Sequence, residues 1–220
     1  QRRQIMSTGL NLLNQCRKPT GWPGRFVLWT MNIRHSKVTD WGLQHVSIEK
    51  HDTILDVGCG GGRTVCKLAA SATQGKVYGI DHSEESVAAA HRTNEQWIET
   101  GRVEIRQGSV SHLPYSDNMF DLATAVETHF WWPDLPADMR EVLRVLKPGG
   151  RLIIIAEIYK GEKDDNRIQR YAEKIVEFTN MALLSAKEHR ELFSKAGYSD
   201  VQIIEEYEKG WICGIGRKPS

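Results

Sequence analysis

TILDVGCGGGR, residues 53–63, is the stretch of this sequence that decides the predicted fold. Its first half is an apolar run, interrupted by one aspartate, and such a run is typical of a strand buried on both faces. Its second half is rich in glycine, which tolerates positive φ angles and has no Cβ to keep a ligand away from the backbone. We therefore predict a buried strand that leads into a loop open to a nucleotide-type cofactor.

A helix is predicted to follow this loop. Four apolar residues recur at the helical spacing i, i+3, i+4 and i+7, and together they form one stripe that can pack on a sheet. They are Val65, Leu68, Ala69 and Ala72. The amino terminus of the helix then points at the glycines, where unpaired amides and the positive end of the helix dipole favour a carboxylate or a phosphate.

A second predicted strand, residues 77–81, ends in a carboxylate. Asp81 lies 19 positions beyond Gly62, close to the spacing of about 20 residues at which an acidic residue binds the ribose in dinucleotide sites. Ser83 is a predicted helix N-cap, and Gly101 is predicted to end that helix. This alternation of strands and helices predicts a parallel α/β sheet.

The glycine pattern distinguishes two classes of cofactor. A dinucleotide fingerprint requires a small residue at its third glycine position, where this sequence has Arg63, and this disfavours NAD or FAD. The glycines instead alternate as Gly58, Gly60 and Gly62 behind Asp56. This pattern resembles motif I of the class I S-adenosylmethionine (SAM) methyltransferases. An NAD-dependent oxidoreductase is the alternative among enzymes.

Two passages further along the chain resemble the same family. Phe120-Asp121 opens a predicted fourth strand, residues 120–126. The passage LKPGG, residues 146–150, is predicted to stop a helix after its first residue and to lead into a fifth strand, residues 152–156. The resemblance covers residues 50–157 and is greatest to the small-molecule "type 11" group of methyltransferases.

One position departs from the family pattern. A predicted third strand, residues 103–107, leads to Ser109, where the family usually has an aspartate that accepts a hydrogen bond from the adenine amino group. A serine hydroxyl is shorter and uncharged, although it can also accept a hydrogen bond. The next residue, Val110, is placed to cover the face of the adenine ring.

The resemblance implies a Rossmann-like α/β fold with a seven-stranded, mostly parallel sheet and an antiparallel C-terminal hairpin strand. It also implies SAM as the cofactor, with Asp81 on the ribose, and no metal ion is expected. The implied cofactor-binding residues are Asp56, Gly58, Cys59, Gly60, Gly62, Asp81, His82, Gly108, Ser109, Val110, Val126 and Glu127.

The chain is predicted to form a single methyltransferase domain, residues 1–220. Its four successive parts are an N-terminal lid and helical segment (1–50), the SAM-binding core (51–157), substrate-side helices (158–198) and a C-terminal β-hairpin (199–220).

Two segments outside the core are predicted to close the acceptor pocket. Residues 21–31 are aromatic and loop-like, and residues 168–179 place their apolar side chains along one helical face. A short helix with Val38, Trp41 and Val46 is predicted between the first of these segments and the first strand.

Methyl transfer to a protonated acceptor calls for a base whose pKa lies near neutrality. The candidates are His129, Glu127 and His35. His129 is predicted to lie nearest to the methyl group because the fourth strand ends there, whereas a surface or structural role is open for His35. Residues 130–132 are aromatic and are predicted either to form the wall of the pocket or to pack in the core.

No N-P-P-Y-type tetrapeptide follows the fourth strand. Its absence disfavours adenine and amide nitrogens as methyl acceptors and leaves a small O, N, S or C nucleophile.

Composition excludes other classes of protein. A length of 220 residues, a net charge of +1 and a hydrophobic fraction of 40% are typical of one globular domain. Lysine and arginine are dispersed, so no nucleic-acid partner is expected. No apolar run of about 18 residues and no signal-peptide pattern occur, which predicts a cytoplasmic location and no membrane partner. The four cysteines lack metal-ligand or disulfide spacing and are predicted to be reduced thiols.

The predicted partner is a small-molecule substrate, and the predicted assembly is a monomer or homodimer. A non-catalytic SAM-binding module is the alternative outside enzymes.

Overall fold

Residues 35–160 and 181–220 are described by a computed structural model. The helices are α1 (Ser36–Leu43), α2 (Arg63–Ser71), α3 (Glu84–Thr93), α4 (Glu95–Glu99), α5 (Leu135–Val145) and α6 (Ala186–Lys195). The strands are β1 (Thr53–Val57), β2 (Lys76–Asp81), β3 (Val103–Gln107), β4 (Phe120–Val126), β5 (Leu146–Ala156), β6 (Ser199–Glu206) and β7 (Trp211–Arg217). One 3-10 turn, His129–Trp131, follows β4.

The strands form one seven-stranded sheet in the order β3-β2-β1-β4-β5-β7-β6. The four pairs among β1 to β5 are parallel, and β7 runs antiparallel to both of its neighbours, β5 and β6. A mostly parallel sheet that finishes with an antiparallel hairpin strand confirms the predicted fold class.

The order of the strands reverses beside β1. The chain moves outward from β1 to β3, and then returns to place β4 on the other side of β1. Connections that leave β1 and β4 therefore turn away from each other, and a crevice opens at the carboxyl ends of these strands. Ligands of open α/β sheets bind in such a crevice.

Both faces of the sheet are buried. Ile54 and Leu55 are each 0% exposed and belong to two different apolar clusters, because successive side chains of a strand point to opposite faces. The four residues of the apolar stripe predicted for α2 are all 0% exposed in the second cluster, which confirms that stripe. Each fully buried valine or leucine side chain contributes about 1.5 to 3 kcal/mol.

The helix predicted to run from Ser83 to Gly101 is in fact two helices. Ser83 caps α3 as predicted, because its hydroxyl accepts a hydrogen bond from the Ser86 amide at 3.4 Å. The helical path then breaks at Asn94, which is 0% exposed. Its side-chain amide donates to the carbonyl oxygens of Gly62 at 2.9 Å and Ala90 at 3.0 Å. A buried tertiary contact, invisible in the local sequence, therefore ends α3 early.

The LKPGG passage also differs from its prediction. α5 ends at Val145, and Leu146 has an extended backbone and is the first residue of β5. The strand thus includes the passage itself, and its register with β4 shifts between Phe120 and Leu122. A bulge of this kind accommodates proline and glycine where a regular ladder would not.

Local capping patterns are present at both ends of α6. The S-x-x-E pattern of Ser185 and Glu188 forms a reciprocal capping box at the start of α6, and Gly197 follows that helix with a φ of +98°. α1 lies before β1 and ends at Leu43, short of Val46. The segments 21–31 and 168–179, predicted to close the pocket, lie outside the described residues.

Candidate functional site

A cleft of about 240 Å³ lies at the carboxyl ends of β1, β2 and β4 and beside residues 108–110, which follow β3. Eleven of the twelve residues predicted to bind the cofactor line this cleft, and Gly62 is the exception. Among the described residues, sequence reasoning missed further lining side chains from α1, from α2 and from both sides of the 3-10 turn. They include Ser36, Thr39, Thr64, Lys67, Thr128 and Pro133.

The alternating glycines all have positive φ angles, but they serve different purposes. A Cβ on Gly58 would lie 2.1 Å from the Thr128 hydroxyl, and a Cβ on Gly62 would lie 2.5 Å from the Asn94 amide. These two glycines are therefore required by packing inside the protein. A Cβ on Gly60 would meet nothing within 4 Å, so it would project into open space in the cleft.

Gly62 is therefore the one predicted cofactor residue that packs inside the protein and does not line the cleft. Its φ of +79° makes it the left-handed N-cap of α2, and its face is turned toward α3 rather than into the cleft. The other end of the loop is anchored to β2, because the Gly58 and Cys59 amides both donate to the Ile80 carbonyl, at 2.8 and 3.0 Å.

Asp81 holds the middle of the loop in place. One of its carboxylate oxygens accepts a hydrogen bond from the Gly60 amide and the other accepts from the Ser83 amide, both at 2.9 Å. The side chain is buried, with 8% of the residue exposed. Each carboxylate oxygen can accept more than one hydrogen bond, so capacity remains for ribose hydroxyls. Next to it, the half-exposed His82 places Nδ1 at 3.6 Å from the carboxylate.

Asp56 is a second carboxylate in the cleft, and it is almost completely buried. The hydroxyl of Thr124 donates to it at 2.5 Å. Burial raises the pKa of Asp56 to about 7, and the nearby charge of Asp81 acts in the same direction. A positively charged group bound in the cleft would favour the ionised form of Asp56.

These features fit SAM, which combines a purine, a ribose, a sulfonium and a zwitterionic amino acid. The backbone at Gly60 is open, and the amino terminus of α2 suits a carboxylate. Asp56 suits a cationic group and Asp81 suits a pair of hydroxyls. Val110 offers an apolar surface for a ring.

Helix α1 is fixed beside the cleft by Lys67 of α2. The Lys67 ammonium donates to the Ser36 carbonyl at 3.1 Å and to the Ser36 hydroxyl at 2.9 Å, and it also pairs with Asp40. Lys67 follows Arg63 by four residues, so both lie on the same face of α2. The spacing of four residues between Arg63 and Lys67 is the sequence signal that indicates the position of Lys67 in the cleft.

Two of the candidate bases lie at the other end of the cleft. Glu127 has a φ of +56°, and its carboxylate accepts a hydrogen bond from the Glu157 amide. Its backbone amide donates to the Ile155 carbonyl at 2.9 Å. His35, at the N-cap of α1, places Nε2 at 4.0 Å from the Glu157 carboxylate. His35 and Glu127 both line the cleft.

The structure places His129 behind the wall of the cleft rather than in it. The residue is 1% exposed, and its Nε2 lies 3.1 Å from Nε2 of His189 on α6. Nδ1 of His189 lies 2.9 Å from the Ser185 carbonyl, to which it can only donate. Neutral His189 therefore accepts at Nε2, and His129 donates. The 3-10 turn directs the ring inward, which contradicts the expected position of His129 nearest to the methyl group.

Burial also disfavours His129 as a base. It lowers the pKa of His129 well below its usual value, and the neighbouring His189 lowers it further. The aromatic run after it divides between the two predicted roles. Phe130 packs in an apolar cluster with Met181, whereas Trp131 lines the cleft. Trp132 has both roles, because it lines the cleft and is also buried in the main apolar core.

No helix within residues 35–160 and 181–220 is both long and apolar enough to span a membrane.

The chain is similar to known methyltransferases. A family model described as "Methyltransferase domain" matches residues 55–154. Methyltransferase GfsG of Streptomyces halstedii is 30% identical over 86% of this chain and 67% of its own length. The 27-O-demethylrifamycin SV methyltransferase of Amycolatopsis mediterranei is 28% identical over 77% of this chain and 67% of its own length. The chain spans 60% and 52% of two other relatives, a fungal O-methyltransferase and a bacterial demethylmenaquinone methyltransferase.

A solved structure has the same fold. The SAM-dependent methyltransferase of Aquifex aeolicus superposes with a TM-score of 0.65 at 23% identity, over 84% of this chain and 98% of that one. The identity to GfsG, together with the matched family model, identifies the chain as a member of the class I, type 11 family of SAM-dependent methyltransferases.

Proposed function

We propose that this chain transfers the methyl group of SAM to a small-molecule acceptor. The observation that carries the proposal is the cleft itself, in which an open glycine backbone, two buried carboxylates and an apolar end lie side by side at the switch point of the sheet. Relatives such as the 27-O-demethylrifamycin SV methyltransferase, whose name specifies a small-molecule acceptor, support the acceptor class.

Each part of the cleft has a proposed task in holding the cofactor. Asp81 holds the ribose hydroxyls, and the backbone at Gly60 lies against the ligand because no side chain intervenes. The amino terminus of α2 holds the carboxylate of the methionine part, and Asp56 holds its ammonium group. When bound, SAM supplies a methyl group on a positively charged sulfur, which makes that methyl electrophilic.

The protein contributes by positioning the reactants and excluding water. An in-line displacement needs the acceptor atom aligned behind the methyl group, and alignment alone can supply several kcal/mol of the barrier reduction. Trp131 and Trp132 line the cleft and provide apolar surface for this purpose. We assign the cofactor task to β1–β3 and the acceptor task to the ends of β4 and β5 with α1.

His35 is the proposed base. An acceptor hydroxyl, thiol or amine loses a proton as its bond to carbon forms, and a cleft-lining imidazole can take that proton. Glu157, with its carboxylate 4.0 Å away, stabilises the resulting imidazolium. Glu127 is the second candidate, but it already accepts a hydrogen bond from the Glu157 amide. His129 loses the role that its position in the sequence suggested.

Turnover with a panel of small alcohols, phenols, thiols and amines tests the proposal by following formation of S-adenosylhomocysteine. His35→Asn should lower turnover by about 100-fold or more and leave the affinity for S-adenosylhomocysteine unchanged. His51→Asn, an exposed histidine outside the cleft, is the matched control. Normal turnover in His35→Asn would remove His35 as the base. Binding of the cofactor without turnover on any acceptor would favour the non-catalytic SAM-binding module.

The cytoplasmic location and the monomeric or homodimeric state stay predictions from the sequence.

A further inference from the structure

The end of the cleft beside β3 differs chemically from the end beside β4. The order of the strands places residues 108–110 first, Asp81 next, the glycine loop after it, and Glu127 last. The β4 end carries charged or titratable side chains, namely Glu127, His35 and Lys67. The β3 end is lined by Ile80, Ser109 and Val110, together with His82, whose Nδ1 faces Asp81.

This polarity orients the cofactor. In the proposed site the amino terminus of α2 and Asp56 hold the zwitterionic amino acid, whereas a purine gains most from an apolar surface. With the ribose on Asp81, the purine therefore packs at the β3 end, against Val110. What we infer about the β3 end of the cleft rests on the proposed SAM site.

The outer edge of this end is an exposed turn. The Ser109 hydroxyl accepts a hydrogen bond from the Ser111 amide at 3.2 Å, and the His112 amide donates to the Ser109 carbonyl at 3.2 Å. Ser109, Ser111 and His112 are all exposed. The turn has no carboxylate, since residues 108–113 are Gly, Ser, Val, Ser, His and Leu.

Neighbouring carboxylates are committed elsewhere. Asp81 holds the Gly60 and Ser83 amides. Glu141 accepts from the Leu113 amide at 2.8 Å and is paired with Arg144. Among residues 35–160 and 181–220, an exocyclic amino group on the edge of the purine would therefore meet solvent rather than a buried acceptor. Since water would hydrogen-bond that amine in the bound and the free state alike, the contact would add little affinity.

We infer that Ser109 leaves the cofactor site open at the 6-amino group of the purine, so that the protein binds adenosyl cofactors substituted on this nitrogen as well as it binds the unsubstituted ones. A substituent there extends past Ser109 into solvent and displaces no hydrogen bond of the protein. Ser109 thus determines cofactor specificity because it leaves the 6-amino group of the purine uncovered.

Calorimetry with S-adenosylhomocysteine and its N6-benzyl derivative tests this inference without any methyl acceptor. The two dissociation constants should agree within about threefold, since no partner of the amine is lost. The 2′-O-methyl derivative is the control for exclusion, because it removes a hydroxyl from buried Asp81, and it should bind at least about tenfold more weakly.

Ser109→Asp should create the missing discrimination. A carboxylate at this position accepts a hydrogen bond from the unsubstituted amine, so S-adenosylhomocysteine should bind about threefold to tenfold more tightly, and the benzyl derivative should lose affinity. Ser111→Asp adds the same charge to the same turn and should leave the ratio of the two affinities unchanged.

Two results would overturn the inference, and they are distinguishable. Tight binding of S-adenosylhomocysteine with exclusion of the benzyl derivative by more than about 30-fold would show that the purine edge is covered, and the proposed function would stand. Failure of both ligands to bind would overturn the proposed cofactor site together with the inference.

Discussion

The two halves of the cleft are built in different ways. In the cofactor half, at the ends of β1 to β3, polar groups are fixed by neighbours on adjacent strands and turns, as when Asp81 holds the Gly60 and Ser83 amides. In the acceptor half, at the ends of β4 and β5, the contacts join distant parts of the chain, as between His35 and Glu157. The first half is a compact backbone cradle, and the second depends on how separate elements pack. Changes in the cradle should therefore weaken binding of the cofactor more than binding of the acceptor.

The largest effect is expected at Gly60. Gly60→Ala places a methyl group in the open space of the cleft and should weaken binding of S-adenosylhomocysteine by about 100-fold or more, because overlap with a well-packed ligand is costly. Gly101→Ala is the matched control, since Gly101 also has a positive φ and a Cβ there would also meet nothing within 4 Å.

Both alanine variants share the cost of a left-handed backbone, about 1 to 2 kcal/mol. Denaturant unfolding should show similar losses for both, and calorimetry should show lost binding in Gly60→Ala only. Equal binding of S-adenosylhomocysteine by the two variants would mean that the glycine loop does not contact the cofactor. It would then contradict the assignment of the cofactor to this half of the cleft.

The second effect is expected at Asp81. Asp81→Asn removes the charge that would bind the ribose, so binding should weaken by about 1.5 to 3 kcal/mol. Asp121→Asn is the control, because Asp121 also accepts from a backbone amide, that of Thr53 at 2.9 Å, but it is the second residue of β4, at the end of the strands opposite to the cleft. Calorimetric affinities that fall equally in both variants would point to a general loss of charge or stability instead of a ribose contact.

The acceptor half should respond to pH through its buried histidine pair. Burial lowers the pKa of both His129 and His189 in the folded state below the usual value. Between the folded and unfolded pKa values, only the unfolded chain binds these protons, so stability is present above about pH 6.5 and is lost as the pH falls. The slope is at most about 1.4 kcal/mol per pH unit for each histidine.

Replacing one member of the pair should flatten that slope. Urea unfolding from pH 7.5 to 5.5 should show a shallower decline for His129→Asn than for the natural protein, while His51→Asn, at an exposed position, should keep the decline. An unchanged slope in His129→Asn would show that the pair is not responsible.

The smallest effect is a proton released in the cofactor half. Because the pKa of Asp56 is about 7 in the free protein, binding of a cationic cofactor should favour its ionised form and release about half a proton at pH 7. Affinity for SAM should then rise with pH up to about 7 and level off above it. Binding enthalpies in phosphate and in Tris, which differ in ionisation enthalpy, measure the release, and Asp56→Asn should abolish it. Equal enthalpies in the two buffers would contradict the coupling.

The same contrast between the halves explains what the sequence could predict. The strand, the glycine loop, Asp81 and the Ser83 cap depend on backbone conformations and spacings within a few residues, so local patterns suffice for them. The separate roles of Gly60 and Gly62 depend on Asn94, which is 32 residues from Gly62. No local pattern could therefore distinguish a glycine that faces the ligand from one that faces α3.

The sequence could not predict the arrangement of the acceptor half for a similar reason. The position of His129 after β4 suggested a catalytic role, but the direction of its ring depends on the 3-10 turn and on His189, 60 residues away. His35 had no visible partner in the sequence, because Glu157 approaches it only when β5 packs beside α1. Side-chain direction at the end of a strand is a tertiary property, and it decided between these two candidates.

The most direct test of the cofactor cradle is a crystal structure of the protein with S-adenosylhomocysteine. We expect the ribose hydroxyls within hydrogen-bond distance of Asp81, the backbone of Gly60 against the ligand, and the purine on Val110. A ligand bound outside the cleft, or a ribose that does not contact Asp81, would contradict the assignment of the cofactor to the ends of β1 to β3.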